Sequence, residues 1–92
     1  MSDVAASVPD NYLRTTACFS VHARAEPGVM PRVLELFAKR GLVPSQLHSS
    51  TSGDNQSELT IDIRMCGLGR ETVDYIAACL RQIVFVTVVL TS

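Results

Sequence analysis

The sequence predicts an α+β fold in which strands and helices follow one another in the order β-α-β-β-α-β. Two segments alternate apolar and polar residues, which is typical of strands with one buried face. Two other segments repeat apolar residues at helical spacing, and turns rich in glycine, proline or polar residues separate the segments. The 92 residues leave room for one domain, to which we assign residues 15–92, after a flexible N-terminal arm over residues 1–14.

The first strand and the first helix occupy residues 15–41. Alternation begins at Thr15, and the turn Ala25-Glu26-Pro27-Gly28 ends the strand. In the helix, Pro31 lies in the first turn, where its missing N–H costs nothing, and Gly41 is a C-cap after two basic residues. The inward positions predicted for these two elements are Ala17, Phe19, Val21 and Ala23, followed by Val29, Val33, Leu36 and Phe37.

The second half of the chain repeats the pattern from a weaker strand. This strand is predicted over Leu42–Thr51, and Pro44 indicates a sheet edge because proline cannot donate to a ladder. A polar hairpin loop leads to a third strand, a helix over Arg70–Gln82 and a last strand over Ile83–Leu90. The third strand turns Leu59, Ile61, Ile63 and Met65 inward, and the helix has an apolar stripe of Val73, Ile76, Ala77 and Leu80.

This order predicts a four-stranded antiparallel sheet with both helices on one face, the ferredoxin-like arrangement. Right-handed crossovers place the first and third strands in the centre. The other face is open and polar, and His22, His48 and Asp62 lie on it without a nucleophile motif beside them. We therefore expect a protein that is not an enzyme, and we explain both histidines as solvated residues of the open face.

Composition excludes several other classes of function. The net charge of −1 gives no basic excess for nucleic acid, and the longest apolar run has four residues where a membrane span needs about 20. The three cysteines are far apart and form no ligand motif, so we expect no metal site and no cofactor. No secretion signal precedes the domain, which predicts a cytoplasmic protein.

The turn before the first helix is a candidate binding site. In Pro27-Gly28-Val29-Met30, glycine permits close approach of a ligand to the backbone, and free N–H groups at a helix start attract carboxylates. A small amino acid could dock there by its carboxylate. The alternative is an ordinary turn at a helix N-terminus.

From these residues the chain resembles an ACT domain, the βαββαβ module that senses amino acids. The resemblance rests on two segments. Glu26-Pro27-Gly28-Val29-Met30 joins the first strand to the first helix, and Phe37-Ala38-Lys39-Arg40-Gly41 ends that helix. Within that family, residues 33–41 and the ending that starts at Leu80 are similar to the small regulatory subunit of acetolactate (acetohydroxyacid) synthase. Ala25 and Val43 stand where the valine-sensitive subunits have asparagine, so we expect weak or no binding of valine, leucine and isoleucine.

The resemblance implies a non-catalytic subunit that binds and stimulates the catalytic subunit of acetolactate synthase. The alternative is a stand-alone, amino-acid-binding ACT homodimer that regulates another enzyme. ACT domains pair side by side, and we expect a homodimer whose seam is the edge strand beginning at Val43-Pro44. This seam would bring the Gly28 turn of one subunit near the strand start of the other, so the candidate effector residues are Ala25, Pro27, Gly28, Val29, Met30 and Val43.

The last strand is apolar on both faces, which predicts a protein contact. The alternation places Val84, Val86, Val88 and Leu90 towards the helices. The opposite face then presents Ile83, Phe85 and Val89, the candidate contact residues for a catalytic subunit. The alternative is that Phe85 folds over its neighbours or joins the homodimer.

Overall fold

The computed structural model describes residues 16–92, and the predicted arm over residues 1–14 lies outside them. The elements follow the predicted order. They are β1 (Thr16–Arg24), α1 (Val29–Lys39), β2 (Gln46–Ser52), a single 3₁₀ turn (Asp54–Gln56), β3 (Glu58–Cys66), α2 (Arg70–Arg81) and β4 (Val86–Thr91).

The strands form one sheet in the order β2-β3-β1-β4, and each neighbouring pair is antiparallel. This arrangement confirms the predicted fold, with the first and third strands in the centre. Every second residue of β1 and β3 is buried, and the buried residues of both helices join the same cluster. Both helices therefore cover one face of the sheet and leave the other face open. The largest fully buried side chains include Phe19, Phe37, Ile61, Ile76 and Leu80.

The core of β1 and the two helices follows the sequence pattern closely. The rings of Phe19 and Phe37 meet edge to face, with centroids 5.8 Å apart, which ties α1 to the central strand. Gly41 has a φ of 69°, so α1 ends at the predicted glycine, and the amide of Leu42 donates to the carbonyl of Phe37 at 2.9 Å. The apolar spacing of α1 and α2 therefore predicted the buried faces correctly.

The second strand is shorter than predicted. It begins at Gln46 instead of Leu42, because the chain first completes the C-terminal turn of α1 and then passes Pro44. All seven residues of β2 are exposed, including those on the helix side of the sheet. The helices therefore leave β2 uncovered, and β2 is an edge strand as predicted.

The last strand differs most from the prediction. It begins at Val86, and a β-bulge at Thr87 separates the pair Ala23–Val86 from the pair His22–Val88. The extra residue reverses which side chains face the core from that point on. Val89 is 3% exposed, so its predicted place on the open face was wrong. The inward placement of Val84, Val88 and Leu90 was also wrong, since these residues are 65%, 46% and 56% exposed.

Two further observations concern membrane spans and metal sites. In the described part of the chain, neither helix is long and apolar enough to cross a membrane. Over residues 16–92, no three histidine, cysteine or acidic side chains lie close enough together to hold a metal ion.

Candidate functional site

The predicted effector turn connects β1 to α1 at the end of the sheet where β1 finishes. The amide of Ala25 donates to the carbonyl of Ser57 at 2.9 Å, which holds the turn against the start of β3. The amide of Val29 donates to the carbonyl of Glu26 at 3.1 Å and closes a four-residue turn with Pro27 and Gly28 at its centre. Val29 is buried, Met30 is half-buried against the core, and Pro27 is exposed. The turn is therefore held by Val29 in the core and by the hydrogen bond to Ser57, while Pro27 is exposed to solvent.

Gly28 is not required for its backbone conformation, since its φ of −78° and ψ of −9° suit any residue. What lies close to it is Arg32, one helical turn further on. The Arg32 Nη1 donates to the Gly28 carbonyl at 3.0 Å, and a Cβ built on Gly28 would clash with that nitrogen. An exposed guanidinium therefore lies at the turn that the sequence predicts as a carboxylate site. Sequence analysis missed Arg32, although its spacing of four residues from Gly28 was a usable signal.

Val43 does not join this turn within one chain. It precedes Gln46, which is level with Arg64 and Cys18, whereas Ala25 follows Arg24, which is level with Glu58 and the end of β2. From Cys18 to Arg24, β1 spans about 20 Å. Val43 is 84% exposed at the far end of the sheet, so a single chain brings together only five of the six predicted effector residues.

The two edges of the sheet are not equally available for pairing. Cys18 and Ser92 exchange both backbone hydrogen bonds, so by alternation the backbone groups of Val89 point away from β1. The Arg81 Nη2 donates to the Val89 carbonyl at 2.9 Å and covers this outer edge. Within residues 16–92, no side chain bonds the backbone of β2 in this way. The β2 edge is therefore the one open to strand pairing.

Exposed apolar side chains line the β4 side of the open face, and we call Phe85, Val88 and Leu90 the β4 strip. Phe85 has a φ of 77°, a region that costs a bulky residue about 1–3 kcal/mol. Phe85 is 45% exposed, and the Arg24 Cζ lies 5.9 Å from its ring centroid. Of the predicted contact residues, Phe85 is thus exposed, Ile83 is half-buried against the core and Val89 is buried.

A groove of about 730 Å³ lies on the open face at the end where β1 begins, and it borders the β4 strip at Leu90. The Ser20 Oγ and the His22 Nε2 are 3.2 Å apart, while Asp62 lies opposite Ser20 and His48. Within residues 16–92, the Asp62 carboxylate forms no ion pair or hydrogen bond, and this includes both histidines. The groove is lined by Ser20, Gln46, His48, Asp62, Arg64 and Leu90, among others.

Comparison with known proteins gives one consistent result. A family model described as an ACT-like domain matches residues 10–92. The ACT domain of a GTP pyrophosphokinase from Chlorobium tepidum is 10% identical and has a TM-score of 0.71, over 84% of this chain and 96% of that chain. The C-terminal domain of the MgtC protein from Mycobacterium tuberculosis is 17% identical and has a TM-score of 0.70, over 92% of each chain.

An uncharacterized protein from Thermotoga maritima is 14% identical and has a TM-score of 0.66, over 84% of this chain and 92% of that chain. At these identities the solved structures establish the fold alone. Among curated proteins, no relative matches the chain.

Proposed function

The chain belongs to the ACT-like domain family, and on that premise we propose that it is a non-catalytic regulatory subunit that binds and stimulates acetolactate synthase in branched-chain amino acid biosynthesis. ACT domains are regulatory ligand-binding modules that commonly dimerise. The choice of synthase rests on the similarity of residues 33–41 and of the ending from Leu80 to the small subunit of that enzyme. Such a subunit acts in the cytoplasm beside its enzyme and needs no cofactor of its own.

The observation that carries the regulatory role is that the candidate effector site is incomplete in one chain. The Gly28 turn lies at one end of the sheet and Val43 at the other. Antiparallel pairing of two β2 edges would bring Val43 of a second copy to the end that holds the Gly28 turn. The uncapped edge of β2 and the capped edge of β4 favour this pairing over one through β4.

The experiment is a synthase assay with two purified proteins. Acetolactate formation from pyruvate is measured for the catalytic subunit of the same genome, with and without this chain. We expect the chain to raise the turnover of the synthase and to co-elute with it. A synthase that is neither bound nor stimulated would contradict the proposal.

The second candidate function is a stand-alone, amino-acid-binding homodimer that regulates another enzyme. Arg32 favours it, because a guanidinium 3.0 Å from the Gly28 carbonyl places a cation at the turn even though Ala25 and Val43 provide no polar side chain. Calorimetric titration with the common amino acids separates the two functions. A tight-binding amino acid together with an unaffected synthase would establish the second function and exclude the first.

A further inference from the structure

Phe85 occupies a backbone position that does not suit it. The amide of Val86 donates to the carbonyl of Ile83 at 3.1 Å, so Ile83–Val86 is a tight turn with Phe85 as its third residue. A positive φ at that position is normally left to glycine or asparagine. Strained residues of this kind persist where the surrounding structure holds them, and they concentrate at functional sites.

The fold does not use the Phe85 ring to fill its core. Phe85 remains 45% exposed, and its ring lies beside the Arg24 guanidinium on the open face. The bulge at Thr87 then directs Val88 and Leu90 to the same open face. Turn and bulge together therefore expose the apolar side chains of the β4 strip instead of burying them.

Two features indicate what covers this strip. Arg81 donates a hydrogen bond to the Val89 carbonyl at the outer edge, which disfavours addition of a further strand. The side chains of the strip are therefore the contact surface. The strip lies between Arg24 on the open face and Arg81 at the edge, and neither forms an ion pair within residues 16–92. An apolar surface with cationic flanks is complementary to an apolar pocket with an acidic rim.

A second copy of the chain is a poor occupant. If β2 is the seam of the homodimer, the two β4 strands lie at opposite ends of an eight-stranded sheet. A symmetric contact between two β4 strips would also bring the Arg24 and Arg81 guanidinium groups of both copies into one interface without an acidic partner, which opposes self-association through this surface. The occupant that suits the strip is therefore a different protein.

We propose that the β4 strip is the surface by which the chain docks on the enzyme it regulates, with Phe85 as the anchor in an apolar, acid-rimmed pocket. This inference rests on the proposed function and deepens it by assigning the contact surface. Aromatic residues that enter a desolvated pocket contribute much of the binding energy of an interface.

The test uses Phe85→Gly, because glycine suits a positive φ and removes the ring. We expect the thermal unfolding midpoint to stay the same or rise, while affinity for the acetolactate synthase catalytic subunit falls by at least about thirtyfold. Tyr75→Ala is the matched control, since the Tyr75 ring is also exposed and lies 4.8 Å from an arginine Cζ, on α2. This control should bind like the wild type.

The outcomes distinguish a failure of the proposed function from a failure of the docking surface alone. A wild type that does not bind the synthase overturns the proposed function and the docking surface together. A wild type that binds, alongside a Phe85→Gly protein that binds equally well, overturns the docking surface alone. If Phe85→Gly lowers the unfolding midpoint, the double variant Val88→Ser/Leu90→Ser replaces it, and undiminished binding by that variant overturns the proposal.

Discussion

At the scale of single residues, neighbours in β4 have opposite roles. Val89 lies in the core cluster with the buried residues of both helices, whereas Val88 lies beside it on the open face. Truncation of a buried valine removes packed methyl groups and leaves a cavity, while truncation of an exposed valine changes little.

We therefore expect Val89→Ala to lower the free energy of unfolding by about 2 kcal/mol and Val88→Ala to change it by less than about 0.5 kcal/mol. Urea denaturation followed by circular dichroism measures both. A larger loss for Val88→Ala would mean that the strand has no bulge and that simple alternation was correct, and equal losses would contradict the opposite burial of the two valines.

Arg32 and Phe85 show the limit of sequence reasoning at this scale. The Gly28 turn was recognised from Pro-Gly before a helix, but the guanidinium above it comes from a side chain that sequence spacing treats as a solvated helix face. For Phe85, the apolar run Ile83-Val-Phe-Val contains no glycine to mark a turn, so a strand was the natural prediction. The structure instead places a positive φ at the aromatic residue.

At the scale of elements, the two helices and the two central strands were predictable because each has a single strong period and one buried face. The edge strands were not, for opposite reasons. In β2 every residue is exposed, so burial imposes no alternation on it. In β4 the apolar residues continue through both faces, and one bulge reverses their parity without any change in composition.

The β4 edge also needs protection, because its sequence favours pairing with other strands. The Arg81 side chain, bonded to the Val89 carbonyl, provides part of that protection. We expect Arg81→Ala to form higher-order species at micromolar concentration, visible by sedimentation velocity. Arg70→Ala is the control, since Arg70 is exposed on the same helix and bonds no strand backbone within residues 16–92. Identical sedimentation of the two variants would show that Arg81 does not protect the β4 edge from pairing with other strands.

At the scale of the whole molecule, the difference between the two edges of the sheet determines which strand forms the seam of the proposed homodimer. One edge is polar, uncapped and free of helix cover, and the other is apolar, capped and next to the strained turn. A β2 seam leaves both β4 strips outermost, so that one dimer could contact two copies of an enzyme. The sequence predicted the edge position of β2 from Pro44, but the cap on β4 that disfavours the other seam depends on a contact between α2 and β4.

The seam itself can be tested at the middle residue of β2. In a symmetric antiparallel pairing of Gln46–Ser52, Ser49 lies opposite Ser49 of the second copy. The wild type should therefore have twice the 10.0 kDa mass of one chain by light scattering.

Ser49→Lys places two ammonium groups opposite each other and should weaken the dimer, as should Ser49→Glu with two carboxylates. Mixing the two variants pairs opposite charges and should restore the dimer. The control is Thr72→Lys at an exposed position of α2, which should leave the dimer unchanged. A wild-type particle of 10.0 kDa, or variants that dimerise as well alone as when mixed, would place the seam elsewhere.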